Sequence, residues 1–315
     1  MTAIYLRDSD LQPLMSYEDA IELVEAALKA LASGEASNRP RQRARTGKGG
    51  LNVLVSAYGG YFGFKAYSSG SGSPGMLNWL YKAEDGSLVA MLQANWLSLA
   101  RTSAASAVAT RALARPDAKV AAFLGAGRQA TGQLPAIALV RNFEEVRCYT
   151  PSGAGAERLA DQARGLGLSA RACNTAEEAV AGADVVTICT QGRSIALEGR
   201  WLKPGAHVNA MGVNRGTDRE IDAEAVLRAS VIAVDEKENA RTEAGDLIPV
   251  VQAGQLSWDR VLDLGAILNG AAPGRQSPDE ITLFESQGLG IEDIAVSGVA
   301  YERAMARGLG QLLPF

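Results

Sequence analysis

A glycine pair and a handful of cations stand out in this 315-residue chain as residues whose type and spacing suit chemistry. The segment Val120-Ala-Ala-Phe-Leu-Gly125-Ala126-Gly127-Arg128-Gln129-Ala130 is an apolar run that breaks at two glycines and resumes as helix formers. A buried strand that ends in a tight turn and hands over to a helix aims free backbone N–H groups, and the helix's positive end, at a pyrophosphate. In the pattern G-x-G-x-x-A, Gly125 makes the turn, Gly127 lets a ligand approach the backbone, and Ala130 keeps the helix close to the strand. The implied ligand is a dinucleotide.

The cations lie upstream. In Asn38-Arg39-Pro40-Arg41-Gln-Arg43-Ala-Arg45 the arginines alternate, so an extended strand points them all to one face. Two readings stay open: a solvated face, or one or two guanidiniums that fork onto a substrate anion. Lys65 stands inside Tyr61-Phe-Gly-Phe-Lys65-Ala-Tyr67, on the face opposite Phe64 and Ala66, among glycines and aromatics. It is either an edge residue facing solvent or a site lysine. Arg101 enters the first turn of an otherwise apolar helix, where a charge needs a partner.

These residues need a scaffold. Residues 3–8 read as a strand, Ser16 caps a helix that Gly34 stops, and 51–57, 62–67, 77–83 and 87–93 read as strands of an antiparallel or mixed sheet. Ser98 is read as the cap of a helix over 99–114, so apolar that it must be buried against another element or a second subunit. After Pro116-Asp117, strands at 120–124, 146–150, 168–172, 185–189, 207–211 and 231–234 alternate with helices, as a doubly wound parallel sheet requires. The part from Ile281 through the helix 291–307 reads as a return of the chain onto the first domain. Pro135 falls inside the first helix of the repeat and should remove one hydrogen bond there.

The second strand of the repeat ends at Tyr149-Thr150-Pro151-Ser152, without the acid that holds an NAD ribose 2′-hydroxyl. That leaves room for a 2′-phosphate, with Ser152 and Arg147 or Arg158 as donors. A formal net charge of -4 argues against a nucleic-acid binder. The start of the chain has no leader pattern and no apolar run is long enough for a bilayer, so a cytoplasmic protein is expected. Three cysteines and the single histidine, His207, form no metal-ligand pattern, and His207 reads as a core residue.

Several motifs recur in one order along nearly the whole chain: Pro40-Arg41, Phe64-Lys65, Leu99-Ala-Arg101-Thr102-Ser-Ala-Ala-Ser106, the glycine turn, His207-Val-Asn-Ala-Met-Gly212, Arg219-Glu220-Ile-Asp222 and Phe284-Glu-Ser-Gln-Gly288. In these the sequence resembles the ornithine cyclodeaminase/mu-crystallin family. The resemblance implies an α/β protein: a Rossmann-type doubly wound domain at 117–293 inside a discontinuous α+β substrate and dimerisation domain at 1–116 and 294–315. It implies Arg41, Lys65 and Arg101 around a substrate carboxylate beside the nicotinamide. Ser73, Thr190 and the segment Val208–Met211 would line the cofactor with the glycine turn, and Ser286 and Gln287 would border nicotinamide and substrate.

Two departures matter. Asn214 stands where cyclodeaminases carry an Asp, and an amide cannot act as a general base. Thr150 stands where NAD-dependent members often carry Asp. Together these imply an NAD(P)H-dependent oxidoreductase working on the C=N/CH–NH bond of a small imino or amino acid, with NADP expected and NAD possible. Arg41 and Arg101 would clamp the carboxylate, Lys65 would bond it or the imine nitrogen and relay a proton, and Asn214 would position. The alternatives are an ornithine cyclodeaminase that recycles NAD, and a non-enzymatic protein that holds NADPH and a small ligand. A homodimer is expected.

Overall fold

The computed structural model describes residues 3–69, 73 and 75–314. The chain divides into two compact units, one of Met1–Thr102 with Leu289–Phe315 and one of Ser103–Gly288.

The first unit is an eight-stranded sheet. Its order is Gln311–Leu312, Ile4–Leu6, Leu88–Gln93, Met76–Lys82, Tyr61–Ser69, Gly50–Tyr58 and Ser37–Asn38, with Gln42–Arg45 also paired to Gly50–Tyr58. Alternation along the strands buries one face. Leu54, Lys65, Asn78 and Leu92 are cross-strand neighbours in a single row, and all four are buried. Lys65 is therefore on the core face. Phe62 and Phe64 point the other way, where Phe64 stacks on Trp79 and Phe62 on Tyr81. Helices Tyr17–Ser33 and Gly290–Ala306 pack together, and the second of them lies on the sheet. Arg303 clamps Asp19 through both carboxylate oxygens, at 2.5 and 2.8 Å. Ser16 does cap the first helix, by accepting from the Asp19 N–H.

The apolar helix runs from Asn95 to Leu113, and Ser98 is not its cap. The capping group is the Asp8 carboxylate, which accepts from the Trp96 N–H at 2.8 Å and from Asn95 Nδ2 at 2.9 Å. The expected burial is met within the chain itself: Ala104, Ala105, Ala107, Val108 and Ala109 of this helix have no exposed surface. Its C-terminal half belongs to the second unit. There Arg141 donates to the carbonyls of Arg111 and Ala114, Arg275 to that of Leu113, and Asn209 to the Thr110 hydroxyl. The division falls at 102/103, where 116/117 was expected, and at 288/289, where 293/294 was expected.

The second unit is an eight-stranded, wholly parallel sheet. The order is Ser169–Ala172, Glu145–Tyr149, Val120–Leu124, Val185–Ile188, His207–Ala210, Ile281–Glu285, Ala229–Val234 and Val261–Asp263. Strands of such a sheet are covered on both faces and read as unbroken apolar runs. The segment Ile281–Glu285 corrects one expectation: it pairs between His207–Ala210 and Ala229–Val234, so the return to the first unit begins only after it. Pro135 lies within the helix Arg128–Ala138, and the Thr131 carbonyl it cannot serve accepts from Gln162 Nε2 at 2.8 Å. His207 is buried between Thr282 Oγ1 at 2.9 Å and Asn209 Oδ1 at 3.1 Å. Burial holds its pKa down to about 3, so it stays neutral.

Candidate active site

In the second unit the strand Val120–Leu124 ends at Gly125, whose φ is +96°. A Cβ there would lie 2.5 Å from the Cys189 carbonyl oxygen, so only glycine fits between the adjacent strand ends. Gly127 follows as the N-cap of Arg128–Ala138, with nothing within 4 Å of its missing Cβ. Ala130 is buried under the helix, as close packing requires. Beside the turn opens a cleft of about 630 Å³, whose walls include Gly125, Tyr149, Pro151, Thr190, Ile195 and Trp201. Ala126 and Gln129 are half-buried at the turn, and Arg128 is exposed. Thr150 Oγ1 is buried without a hydrogen-bond partner, so it is ready to accept or donate to a ligand hydroxyl. These features fit a dinucleotide: an open glycine cradle, a cleft across the strand ends and an unpaired hydroxyl. Ser152 and Arg158 are exposed. Arg147 is spent elsewhere, paired with Glu145 at 2.8 Å and bonded to the Ala181 carbonyl.

Other expected cofactor residues sort themselves by depth. Val208 is a core residue, buried between its ladder partners Val186 and Leu283, so its side chain does not line the cleft. Met211, past the strand end, lies 3.6 Å through sulfur from Cys189. Thr190 donates to Glu220 Oε2 at 2.7 Å, while the Gly212 N–H donates to Glu220 Oε1 at 2.7 Å. The segment Ser286–Gly288 wraps the Asp235 carboxylate: Ser286 Oγ, Gln287 N and Gly288 N all donate to its Oδ2, at 3.0, 2.7 and 2.7 Å. Asn214 lines a separate cleft of about 430 Å³ with Gln191, Arg193, Gly212, Arg215 and Asp218. Ser73, in the first unit, is exposed and donates to the Ser68 carbonyl; its neighbours 70–72 and 74 lie outside the described residues.

In the first unit Arg41, Lys65 and Arg101 are all buried. Lys65 Nζ meets both oxygens of Asp293, at 3.0 and 2.8 Å, and donates to Ser98 Oγ at 3.2 Å. Arg101 reaches Glu292 Oε2 at 2.7 Å and Asp293 Oδ1 at 3.3 Å. Burial lowers the Lys65 pKa to about 7, helped by the charges of Arg101 and Arg41 and opposed by Asp293. An amine balanced in this way can both hold and release a proton near neutrality. Arg43 and Arg45, by contrast, are partly or fully exposed on Gln42–Arg45, so the alternating arginines divide between solvent and site.

Residues 2–308 match the ornithine cyclodeaminase/mu-crystallin family. The chain belongs to that family. It is 32% identical to the alanine dehydrogenase of Archaeoglobus fulgidus, over 100% of this chain and 99% of that protein. The Δ1-pyrroline-2-carboxylate reductase of Thermococcus litoralis, solved with NADH and L-proline, superposes with a TM-score of 0.91 at 32% identity, over 98% of this chain and 100% of that one. An archaeal alanine dehydrogenase dimer with bound NAD gives 0.94 at 31% identity, over 100% of both chains.

Against the family's motifs, sequence reasoning missed the acids. Glu292 and Asp293 lie in the first turn of the last helix, where their only local signal is the helix start. Glu220 carries a stronger signal, since Arg219-Glu220-Ile-Asp222 is one of the motifs that marks the family. Burial first, and then the nearby Asp246 charge, push the Glu220 pKa up to about 8. Asp246 itself accepts from the N–H groups of Glu220 and Ile221. Through Thr190 and Gly212 the buried Glu220 carboxyl ties together the segments that follow two neighbouring strands. Among the described residues, no group of three or more His, Cys, Asp or Glu is placed to hold a metal, and no helix is long and apolar enough to cross a membrane.

Proposed function

We propose that the protein is an NAD(P)H-dependent oxidoreductase on the C=N/CH–NH bond of a small imino or amino acid. The observation that carries the reading is the buried cluster of Arg41, Lys65 and Arg101, a carboxylate receptor in a chain that also has the glycine cradle. Named relatives act on bonds of this kind: an alanine dehydrogenase and a pyrroline-2-carboxylate reductase. A bound nicotinamide would supply or take the hydride. In the reductive direction the imine carbon would gain that hydride and the nitrogen a proton. Arg41 and Arg101 hold the carboxylate, and Lys65 delivers the proton. Asn214 hydrogen-bonds but cannot serve as the base that cyclodeamination asks of this position.

The test is a spectrophotometric screen of cyclic imines, and of 2-oxo acids with ammonia or methylamine. Stoichiometric oxidation of the reduced nicotinamide is expected. Ammonia release from ornithine with no net change in nicotinamide would identify a cyclodeaminase instead. Tight cofactor binding with no turnover would identify a binding protein.

NADPH is expected to serve at least as well as NADH, because no acid follows the second strand and Ser152 and Arg158 stand exposed near its end. Thr150→Asp should move the NADH/NADPH ratio of kcat/KM toward NADH by about tenfold or more, since a carboxylate repels the 2′-phosphate. A wild-type enzyme that strongly prefers NADH would contradict this.

A homodimer is expected through the outer face of the first unit's sheet. Leu51, Val55 and Phe62 are 46%, 44% and 38% exposed there, beside the stacked aromatics. Apolar surface of this extent on a soluble unit marks a contact face. Light scattering should give twice the chain mass for the wild type and the chain mass for Val55→Glu. A wild-type monomer at micromolar concentration would end the idea.

A further inference from the structure

The glycine turn of the second unit has a neighbour that is itself held from behind. A Cβ on Gly125 would lie 3.3 Å from the Thr190 N, so Thr190 stands directly beside the turn, and it also lines the cleft of about 630 Å³. On its other side is the Glu220 carboxyl, which has no exposed surface. Thr190 Oγ1 lies 2.7 Å from Glu220 Oε2, and the Thr190 N–H donates to the same carboxyl. The Gly212 N–H donates to Oε1 at 2.7 Å, in a fit so close that a Cβ on Gly212 would collide with Oε2. The Gly192 N–H donates to Thr190 Oγ1 at 3.3 Å. A threonine hydroxyl has one proton to give and two lone pairs to share. Which atom receives that proton depends on the state of Glu220.

We propose that Glu220 is a positioning residue for the dinucleotide: whether its carboxyl holds a proton decides whether the Thr190 hydroxyl donates into the cleft or turns away from it. The proposal rests on the reading of the glycine turn as a dinucleotide cradle. With Glu220 ionised, Thr190 gives its proton to Oε2 and offers the cleft only a lone pair. With Glu220 protonated, the carboxyl is the donor. Thr190 Oγ1 then accepts from Glu220 and from Gly192, both lone pairs are used, and its own proton is left for the cleft. A dinucleotide brings phosphate oxygens, which accept and do not donate, so the second arrangement serves it. Glu220 Oε1 accepts from Gly212 in both states, and the two segments stay tied.

Burial and then the Asp246 charge push the Glu220 pKa up to about 8, so the exchange occurs near neutrality. The other titratable groups that face Glu220 come from three elements. Cys189, just past Val185–Ile188, stays a thiol, because burial and the Glu220 charge raise its pKa. Glu285, at the end of Ile281–Glu285, stays protonated, because burial and the charges of Asp246, Glu220 and Asp235 raise its pKa well above the carboxylate range. Asp246 follows the helix Lys237–Glu243. Burial raises its pKa less far, against the pull of the Ile221 and Glu220 N–H groups and of Arg219, so Asp246 is ionised first and its charge keeps the proton on Glu220.

The experiment titrates NADH, which has no 2′-phosphate to ionise, into the full-length protein between about pH 6.5 and 9.5. Wild-type affinity should fall by about tenfold as pH rises through 8, the worth of one hydrogen bond to a charged oxygen. The same series with NADPH above about pH 7.5, past the ionisation of its 2′-phosphate, should agree. Glu220→Gln puts an amide where the protonated carboxyl stands, with Nε2 donating to Thr190 and Oε1 accepting from Gly212 at every pH. It should show no pH dependence and, at the alkaline end, bind NADH about tenfold more tightly than the wild type. Thr190→Val should bind weakly throughout, and Thr190→Ser should behave as the wild type. A Glu220 that only braced the fold would give the opposite result, a Glu220→Gln that binds less well at both ends. That result, a flat wild-type profile, or a pH dependence that survives in Glu220→Gln or Thr190→Val overturns the proposal while leaving the cofactor reading intact. Failure of both NADH and NADPH to bind at any pH ends the cofactor reading and the proposal with it.

A second measurement on the wild type does not depend on any variant folding. Near pH 8, NADH binding followed by calorimetry in buffers of different ionisation enthalpy should take up a fraction of a proton per site, because the bound cofactor favours the protonated Glu220. Binding without proton uptake, or with release, overturns the proposal.

Discussion

Replacing Lys65 with alanine is expected to lower kcat/KM for imine reduction by about 30- to 5,000-fold, equivalent to roughly 2–5 kcal/mol of transition-state stabilisation. Three contributions act together. The proton donor is lost, one of the three cations facing the substrate carboxylate is lost, and the cavity left behind admits water to a site where electrostatic interactions owe their strength to its exclusion. The fold should survive. Without Lys65 the buried side chains Arg41 and Arg101 still have the Glu292 and Asp293 carboxylates beside them. A substrate carboxylate then meets one cation fewer, so KM should rise as kcat falls. Cofactor affinity should hardly change, because the glycine cradle and its cleft are built from the second unit alone. Paired assays of turnover and of cofactor binding by fluorescence titration check both halves. Full activity in Lys65→Ala would show that the lysine is a sheet residue with no part in the chemistry.

The second large effect separates the two glycines of the turn, which look alike in the sequence. Gly125→Ala should destabilise the protein by about 2–5 kcal/mol, combining a left-handed backbone imposed on a residue with a side chain and a forced shift of packed neighbours. Its Cβ would sit 2.5 Å from the Cys189 carbonyl oxygen and 2.8 Å from the carbon. Both are backbone atoms, and neither can swing aside as a flexible side chain would. Gly127→Ala meets nothing within 4 Å and should leave the thermal midpoint nearly unchanged. Its methyl group, however, occupies the space through which a pyrophosphate approaches the helix N-terminus, so dinucleotide affinity should fall by about tenfold or more, the equivalent of ~1.4 kcal/mol or above. Thermal melts with and without cofactor distinguish the two. Normal cofactor affinity in Gly127→Ala would mean that the pyrophosphate does not lie on this turn.

The glycine cradle was legible from eleven consecutive residues, and the parallel sheet from the alternation of apolar runs with helix formers, because both are consequences of local backbone geometry and of burial on two faces. The same is true of the Ser16 cap and of His207 as a core residue. Arg41, Lys65 and Arg101 could be singled out as chemically able, but their surroundings could not be read. Whether Lys65 faces solvent or core depends on which strands flank Tyr61–Ser69, and the row through Leu54, Asn78 and Leu92 answers that. Ser98 has the side chain of a cap, yet Asp8 takes that place from 88 residues away, and Ser98 turns instead to Lys65 and Asp293. Asp293 lies 228 residues from Lys65, and Glu292 lies 191 from Arg101. Propensity and periodicity are carried by a few neighbouring residues, so they survive reading along the chain. A buried charge is governed by whatever the fold brings within a few ångströms of it, and that partner leaves no mark on the residues beside it in sequence.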